Sequence, residues 1–238
     1  MFWSKYYGAF LPHIDELDAR GYRFYCHYTI TGAPRALEPH VPDWTRAVEV
    51  LHKLSERTSP RHVLWRFDPI VFTDGLDAAY YARRFREIAG ALAGATTRCY
   101  FSFATFYGKV TRRTQQANIA CFDPPLEEKQ ALVDVMTGIA ARCGMTLHAC
   151  CQDALLNERI QQAHCVDADL LAALFPDRPL IAEQRPTRAA CGCFASRDIG
   201  MYDTCPYGCV YCYANSSHEA ALARRRQHDP SAEMLILP

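Results

Sequence analysis

Four short runs of apolar, aromatic and β-branched residues, at 22–30, 62–72, 98–103 and 144–150, alternate with stretches of helical periodicity. That alternation limits the fold more than any other feature of the chain. Each run is bounded by turn residues, the pattern of a buried strand. Residues 43–57 carry Val48, Leu51 and Leu54 at helical spacing behind Asp43 as N-cap, and 77–92 and 126–142 repeat the helical pattern. A further helical pattern at 9–20 follows an aromatic start, Met1 to Lys5, that reads as part of a strand. Strand and helix in turn, four or five times over, is the signature of right-handed βαβ units round a parallel sheet. The expected fold is therefore α/β, a partial (β/α) TIM-like barrel. Pro69 should end the ladder of the second run, which puts Arg66 and Asp68 near a strand's C-terminal tip, where barrels gather their chemistry. The segment from Phe103 to Pro125 lacks periodicity and is expected to be a lid or binding loop. Short helical pieces are expected near 153–162 and 167–174, and a polar last helix near Ser217.

The second constraint is Cys205-Pro-Tyr-Gly-Cys209-Val-Tyr-Cys212-Tyr-Ala-Asn215. Three thiols spaced C-x3-C-x2-C fit a short loop curled round one 4Fe-4S cube, with one iron left uncovered. With 12 Cys in 238 residues, chance supplies such a triple only about 0.03 times per chain. A zinc knot recruiting a fourth thiolate is the alternative, although zinc sites favour paired C-x2-C spacings. Twelve residues before the triple, Cys191 and Cys193 form C-x-C. With Cys165 and one of Cys150 or Cys151 they make four thiols for a second cluster or metal, or they are ordinary buried thiols. Cys26, Cys99, Cys121 and Cys143 have no partner at ligand spacing and read as core filling. Arg66 suits forked recognition of a carboxylate or phosphate and Asp68 suits hydroxyl or amino donors, or the two form a local ion pair. Lys109, Arg112 and Arg113 meet phosphate or are simply solvated. His27, His148 and His164 read as interior or surface groups rather than ligands.

Lys plus Arg equal Asp plus Glu at 26 each, so no global field draws the chain to nucleic acid or an anionic membrane. A 50% hydrophobic chain of 238 residues has apolar side chains enough for one sizeable core. There is no leader pattern and no apolar run near 18 residues, so a cytoplasmic protein without a membrane span is expected. The cysteines are then expected as reduced thiols rather than a disulfide scaffold.

The triple resembles the signature of radical S-adenosylmethionine (radical SAM) enzymes, and Tyr211 matches the aromatic that commonly precedes the last Cys. A wider likeness spans nearly the whole chain. Through Phe2-Trp3-Ser4-Lys5, Trp65-Arg66-Phe67-Asp68-Pro69-Ile70, Cys191-Gly192-Cys193 and Asp198-Ile199-Gly200-Met201-Tyr202-Asp203-Thr204-Cys205, the sequence resembles the bacterial family known as domain of unknown function 1848. The resemblance implies a 4Fe-4S cluster on Cys205, Cys209 and Cys212, with S-adenosylmethionine on the open iron cleaved to a 5'-deoxyadenosyl radical. It implies Arg66, Asp68, Tyr211, Tyr213 and Asn215 as cofactor-binding residues, with Tyr213 stacking on adenine and Asn215 hydrogen-bonding the cofactor, or the last two serve only as packing and a turn. Cys191, Cys193, Cys165 and Cys150 become the candidate second site. A reductant protein is the implied partner, and the substrate is a small molecule or of unknown class. No residue is assigned as catalytic. Residues 1–182 are expected to form the partial barrel and 183–238 a Cys-rich cluster-binding segment packed on its rim, one compact domain overall. Relatives extend before the Phe-Trp-Ser/Thr-Lys segment, so the chain is expected to lack the first strand or two. The Gly-Gly-Glu segment of common radical SAM proteins has no counterpart here. A likeness to spore-photoproduct-lyase-like proteins brings a nucleic-acid lesion into view, against the balanced charge. A reading from another class is a non-catalytic iron-sulfur or zinc-binding protein with electron-transfer or structural duty.

Overall fold

The computed structural model describes residues 1–178, 180 and 182–236. A six-stranded sheet contains β1 (Phe2–Ser4), β2 (Cys26–Thr29), β3 (Val63–Ile70), β4 (Arg98–Phe103), β5 (Thr146–Ala149) and β6 (Ile160–Gln162). The described helices are α1 (Ile14–Ala19), α2 (Trp44–Arg57), α3 (Ala78–Ala91), α4 (Gly108–Gln116), α5 (Leu126–Arg142), α6 (Ala168–Leu174) and α7 (His218–Gln227). The chain groups into two compact units. One comprises residues 1–32, 42–104 and 123–196; the other comprises 33–41, 105–122 and 197–238.

The first unit holds the whole sheet. Its strands pair in chain order, each parallel to the next. Sequential order joined by right-handed crossovers lays successive helices on the same face. On that face Trp65 stacks on Phe85 of α3 at 4.9 Å and Phe67 meets Phe85 at 5.2 Å. Cys26, Tyr28, Cys99, Phe101, Phe103, Leu147 and Ala149 alternate onto the same side and are buried. The opposite face is built differently. Strand pairing aligns Thr29 with Arg66, Arg66 with Tyr100, Tyr100 with His148 and His148 with Gln161, one polar row across five strands. Gln161 is exposed while the other four are buried; a parallel sheet covered on both sides usually reads as unbroken apolar runs, so the buried part of this polar row needs its own explanation.

Local chemistry sets the helix starts. Asp43 accepts from Thr45 N at 2.9 Å, Asp77 from Tyr80 N at 2.8 Å and Asp167 from Leu170 N at 2.8 Å. The β3–β4 register shifts between Phe67 and Ile70, around Pro69, which has no N–H to donate. The ladder then resumes at Ile70 opposite Phe103 rather than ending.

Two expected elements differ. The piece near 153–162 is not helical: a 3-10 turn at Asp153–Leu155 leads into β6. Its Ile-Gln-Gln is too short and too polar to read as a strand, and pairing with β5 makes it one. The segment after Phe103 is not wholly irregular, because it contains α4, whose buried residues are Val110 and Thr114 alone, too few to mark a helical stripe. All twelve cysteines are free thiols. Among the described residues no helix is long and apolar enough to cross a membrane.

The second unit carries α4, α7 and the Cys205–Cys212 loop. Ser217 caps α7 by accepting from Ala220 N at 3.0 Å.

Candidate functional site

In the first unit, Arg66 is 1% exposed on β3. Taking a guanidinium out of water is costly unless its donors are met. They are met here: Nε and Nη2 donate to Asp68 Oδ2 at 3.0 and 2.6 Å, and Nη1 donates to Cys165 Sγ at 3.2 Å. The Trp3 ring lies 4.1 Å from the guanidinium carbon, a cation–π contact. Burial opposes the charge on Arg66, but Asp68, Cys165 and Cys150 hold it firmly protonated. The other Asp68 oxygen accepts from Ser102 Oγ.

Cys165, three residues beyond β6, is fixed through its carbonyl. Tyr25 Oη and His27 Nε2 both reach that oxygen at 2.8 Å. A carbonyl only accepts, so His27 carries its proton on Nε2, and its buried Nδ1 is left without a partner. Burial first, and Arg66 second, hold the His27 pKa well below the ordinary imidazole value. The ring is neutral.

Cys150, directly after β5, has its sulfur 3.7 Å from Cys165 Sγ. The Cys191-Gly192-Cys193 turn lies against the segment that carries Cys165: Phe194 N donates to Val166 O at 3.1 Å, and the Gly192 carbonyl accepts from His164 Nδ1. Thr187 Oγ1 donates to Cys191 Sγ at 3.5 Å. Cys150, Cys165, Cys193 and Cys191 thus follow one another in a row beyond the strand ends, Cys150 Sγ next to Cys165 Sγ and the C-x-C turn next to Val166. Their protonation differs along it. The Cys165 contact, ahead of burial, raises Cys150, and Cys165 is raised despite the lowering effect of its Cys150 contact. At the other end the Cys165 hydrogen bond lowers Cys193. Burial pushes Cys191 up, yet hydrogen bonds from Thr187 and Cys193 outweigh it and leave the thiol at about 7. Cys151 stands beside the row, its sulfur accepting from Arg188 Nε at 3.1 Å.

In the second unit the Cys205–Cys212 loop is held mainly by its carbonyls. Arg113 of α4 donates to the carbonyl oxygens of Cys212, Asn215 and Ser216, and Lys109, one turn earlier, donates to that of Tyr213 at 3.3 Å. Asn215 Nδ2 donates to Cys205 O at 2.7 Å, and Val210 N to Leu37 O at 3.0 Å. Tyr211 is buried with its hydroxyl on the buried carboxylate of Glu38. Cys209 is buried, while Cys205 and Cys212 are half-buried. Tyr213 is 54% exposed, its ring 6.2 Å from that of Tyr107. The Asn215 Oδ1 acceptor is buried without a hydrogen-bond partner. Among the described residues, no three His, Cys, Asp or Glu side chains are already disposed to hold a metal ion.

Of the sequence candidates, Arg66, Asp68, Cys150, Cys165, Cys191 and Cys193 come together in the first unit. Tyr211, Tyr213 and Asn215 accompany Cys205, Cys209 and Cys212 in the second. Lys109 and Arg113 tie down a loop, which neither a phosphate-binding nor a merely solvated basic triplet describes. Tyr25, Ser102 and Glu38 were not singled out by sequence, and His27 was read only as an interior or surface group. For Tyr25, His27 and Ser102 a signal exists: polar residues at every second position of otherwise buried strands. Glu38 has none, because its partner is 173 residues away.

A family model described as Domain of unknown function (DUF1848) matches residues 1–214. No curated protein matches the chain.

Proposed function

Because the chain belongs to the DUF1848 family, we propose that it is a radical SAM-type iron-sulfur enzyme, with Cys205, Cys209 and Cys212 as ligands of a 4Fe-4S cluster. One observation carries the reading. The C-x3-C-x2-C loop is tied through its backbone by Arg113, Lys109 and Asn215, while an orphaned buried acceptor, Asn215 Oδ1, adjoins it. A loop fixed by its carbonyls can keep its place while its sulfurs converge, since metal binding completes local folding. The donor set fits the group: three thiolates and no competing carboxylate or imidazole between Cys205 and Cys212. When bound, such a cluster supplies an open iron position and a low-potential electron for cleaving a sulfonium.

The chain's own residues do the positioning. Tyr211, anchored on Glu38, fixes the backbone entering Cys212. Tyr213 offers an exposed ring face for a purine. Asn215 Oδ1 is an acceptor for an amino group or hydroxyl. The sheet is read as a partial (β/α) barrel, for which sequential parallel pairing is the required construction. A reductant protein and a substrate of unassigned class complete the proposal.

The test is anaerobic reconstitution with iron and sulfide, then incubation with dithionite and S-adenosylmethionine. The reading expects 5'-deoxyadenosine from the wild type and none from Cys209→Ser. A reconstituted cluster that yields no 5'-deoxyadenosine moves the protein to an electron-transfer role, and zinc in place of iron moves it to a structural one.

A further inference from the structure

We infer that Cys150, Cys165, Cys191 and Cys193 form a tetrathiolate site for a single tetrahedral metal ion of the zinc class, separate from the Cys205–Cys212 loop. The argument begins with a distance. Two thiolates on one tetrahedral ion, each with a metal–sulfur bond of about 2.3 Å, have their sulfurs about 3.8 Å apart. Cys150 and Cys165 Sγ are 3.7 Å apart. The thiolates of a 4Fe-4S cube sit on different irons and hence further from one another. The remaining pair is brought beside the first by its backbone: Phe194 N donates to Val166 O at 3.1 Å and Gly192 O accepts from His164 Nδ1, so the C-x-C turn flanks Cys165 on both sides.

The surroundings suit thiolates. Arg66 Nη1 donates to the Cys165 sulfur and the Thr187 hydroxyl to that of Cys191. Such outer donors orient metal ligands and offset the negative charge of a tetrathiolate centre. Tyr25 and His27 lock the Cys165 carbonyl, so that ligand is placed beforehand. The C-x-C turn is seated closely: a Cβ on Gly192 would lie 2.9 Å from Gln162 and His164 side-chain atoms. A closed four-thiolate shell leaves no open position, so the site is structural, tying the segments after β5 and β6 to the 187–194 loop.

The experiment uses the full chain carrying Cys205→Ser, Cys209→Ser and Cys212→Ser, so that its result is independent of the cluster reading. Cobalt(II) titrated anaerobically into the metal-free protein is expected to bind at one equivalent, with sulfur-to-cobalt charge-transfer absorption and a tetrahedral visible band, and to be displaced by zinc. X-ray absorption of the zinc form is expected to show four sulfur neighbours at about 2.3 Å. Adding Cys193→Ser should lower zinc affinity at least tenfold. The inference is overturned if the triple-serine protein takes up iron with sulfide there, if fewer than four sulfurs surround zinc, or if Cys193→Ser leaves affinity unchanged. If circular dichroism shows the triple-serine chain unfolded, Cys193→Ser in the wild-type background, expected to lose one zinc per chain, decides the question.

Discussion

Gly208 is held at φ +63°, and a Cβ there would stand 2.7 Å from His218 Nδ1 and 3.2 Å from His40 Cδ2. Both the backbone angle and the close approach require glycine within the cysteine loop. Gly208→Ala is expected to destabilise the protein by about 1 kcal/mol or more and to lower the iron bound after reconstitution, checked by thermal melting and iron assay. Arg113 serves the same loop with a fork that reaches three carbonyls. Lysine has one donor point, so Arg113→Lys should resemble Arg113→Ala in iron content rather than the wild type. At Arg66 the expected effect is on stability. Arg66→Ala leaves Asp68 and the thiols without their cation and should cost about 3 kcal/mol in urea unfolding, as removal of one member of a buried ion pair does. The cysteine triple and the Arg66–Asp68 pair were legible in the sequence because their members lie within a few residues. The grip of Arg113 on Cys212 was not, since 99 residues separate them.

At the scale of elements, what is written locally was readable. Asp43 starts α2, the 98–103 run is β4 and the 126–142 run is α5 as the periodicity indicates. Asp77→Ala, which removes the cap of α3, is expected to cost about 1 kcal/mol with the fold unchanged, measured by urea midpoint at constant slope. What tertiary contact writes was not readable. β6 is a strand only because β5 pairs with it, and α4 has too few buried residues to declare itself. The polar row Arg66, Tyr100, His148 lies within runs that read as buried apolar strands, and strand pairing was needed to show that its members share one layer.

For the molecule as a whole, the buried polar face makes stability depend on pH. Burial first, then Arg98, lowers the His148 pKa to about 4, and His27 is shifted in the same direction. An unfolded histidine titrates near 6.5. Below that pH the unfolded chain binds protons that the folded chain refuses, so stability should fall as pH drops from about 6.5 toward 4. Urea midpoints at a series of pH values check this, and His148→Gln should flatten the slope. The sequence carried the α/β class, the parallel sheet and the family, and it grouped Cys150, Cys165, Cys191 and Cys193 as one candidate site; the strand order and the approach of Cys150 to Cys165 needed coordinates. The central claim concerns the Cys205–Cys212 loop, and the most direct measurement is iron and acid-labile sulfide per chain after anaerobic reconstitution of the wild type and of the protein with all three loop cysteines changed to serine. About four irons and four sulfides in the first and none in the second is the predicted result. Equal iron in both, or none in either, contradicts it.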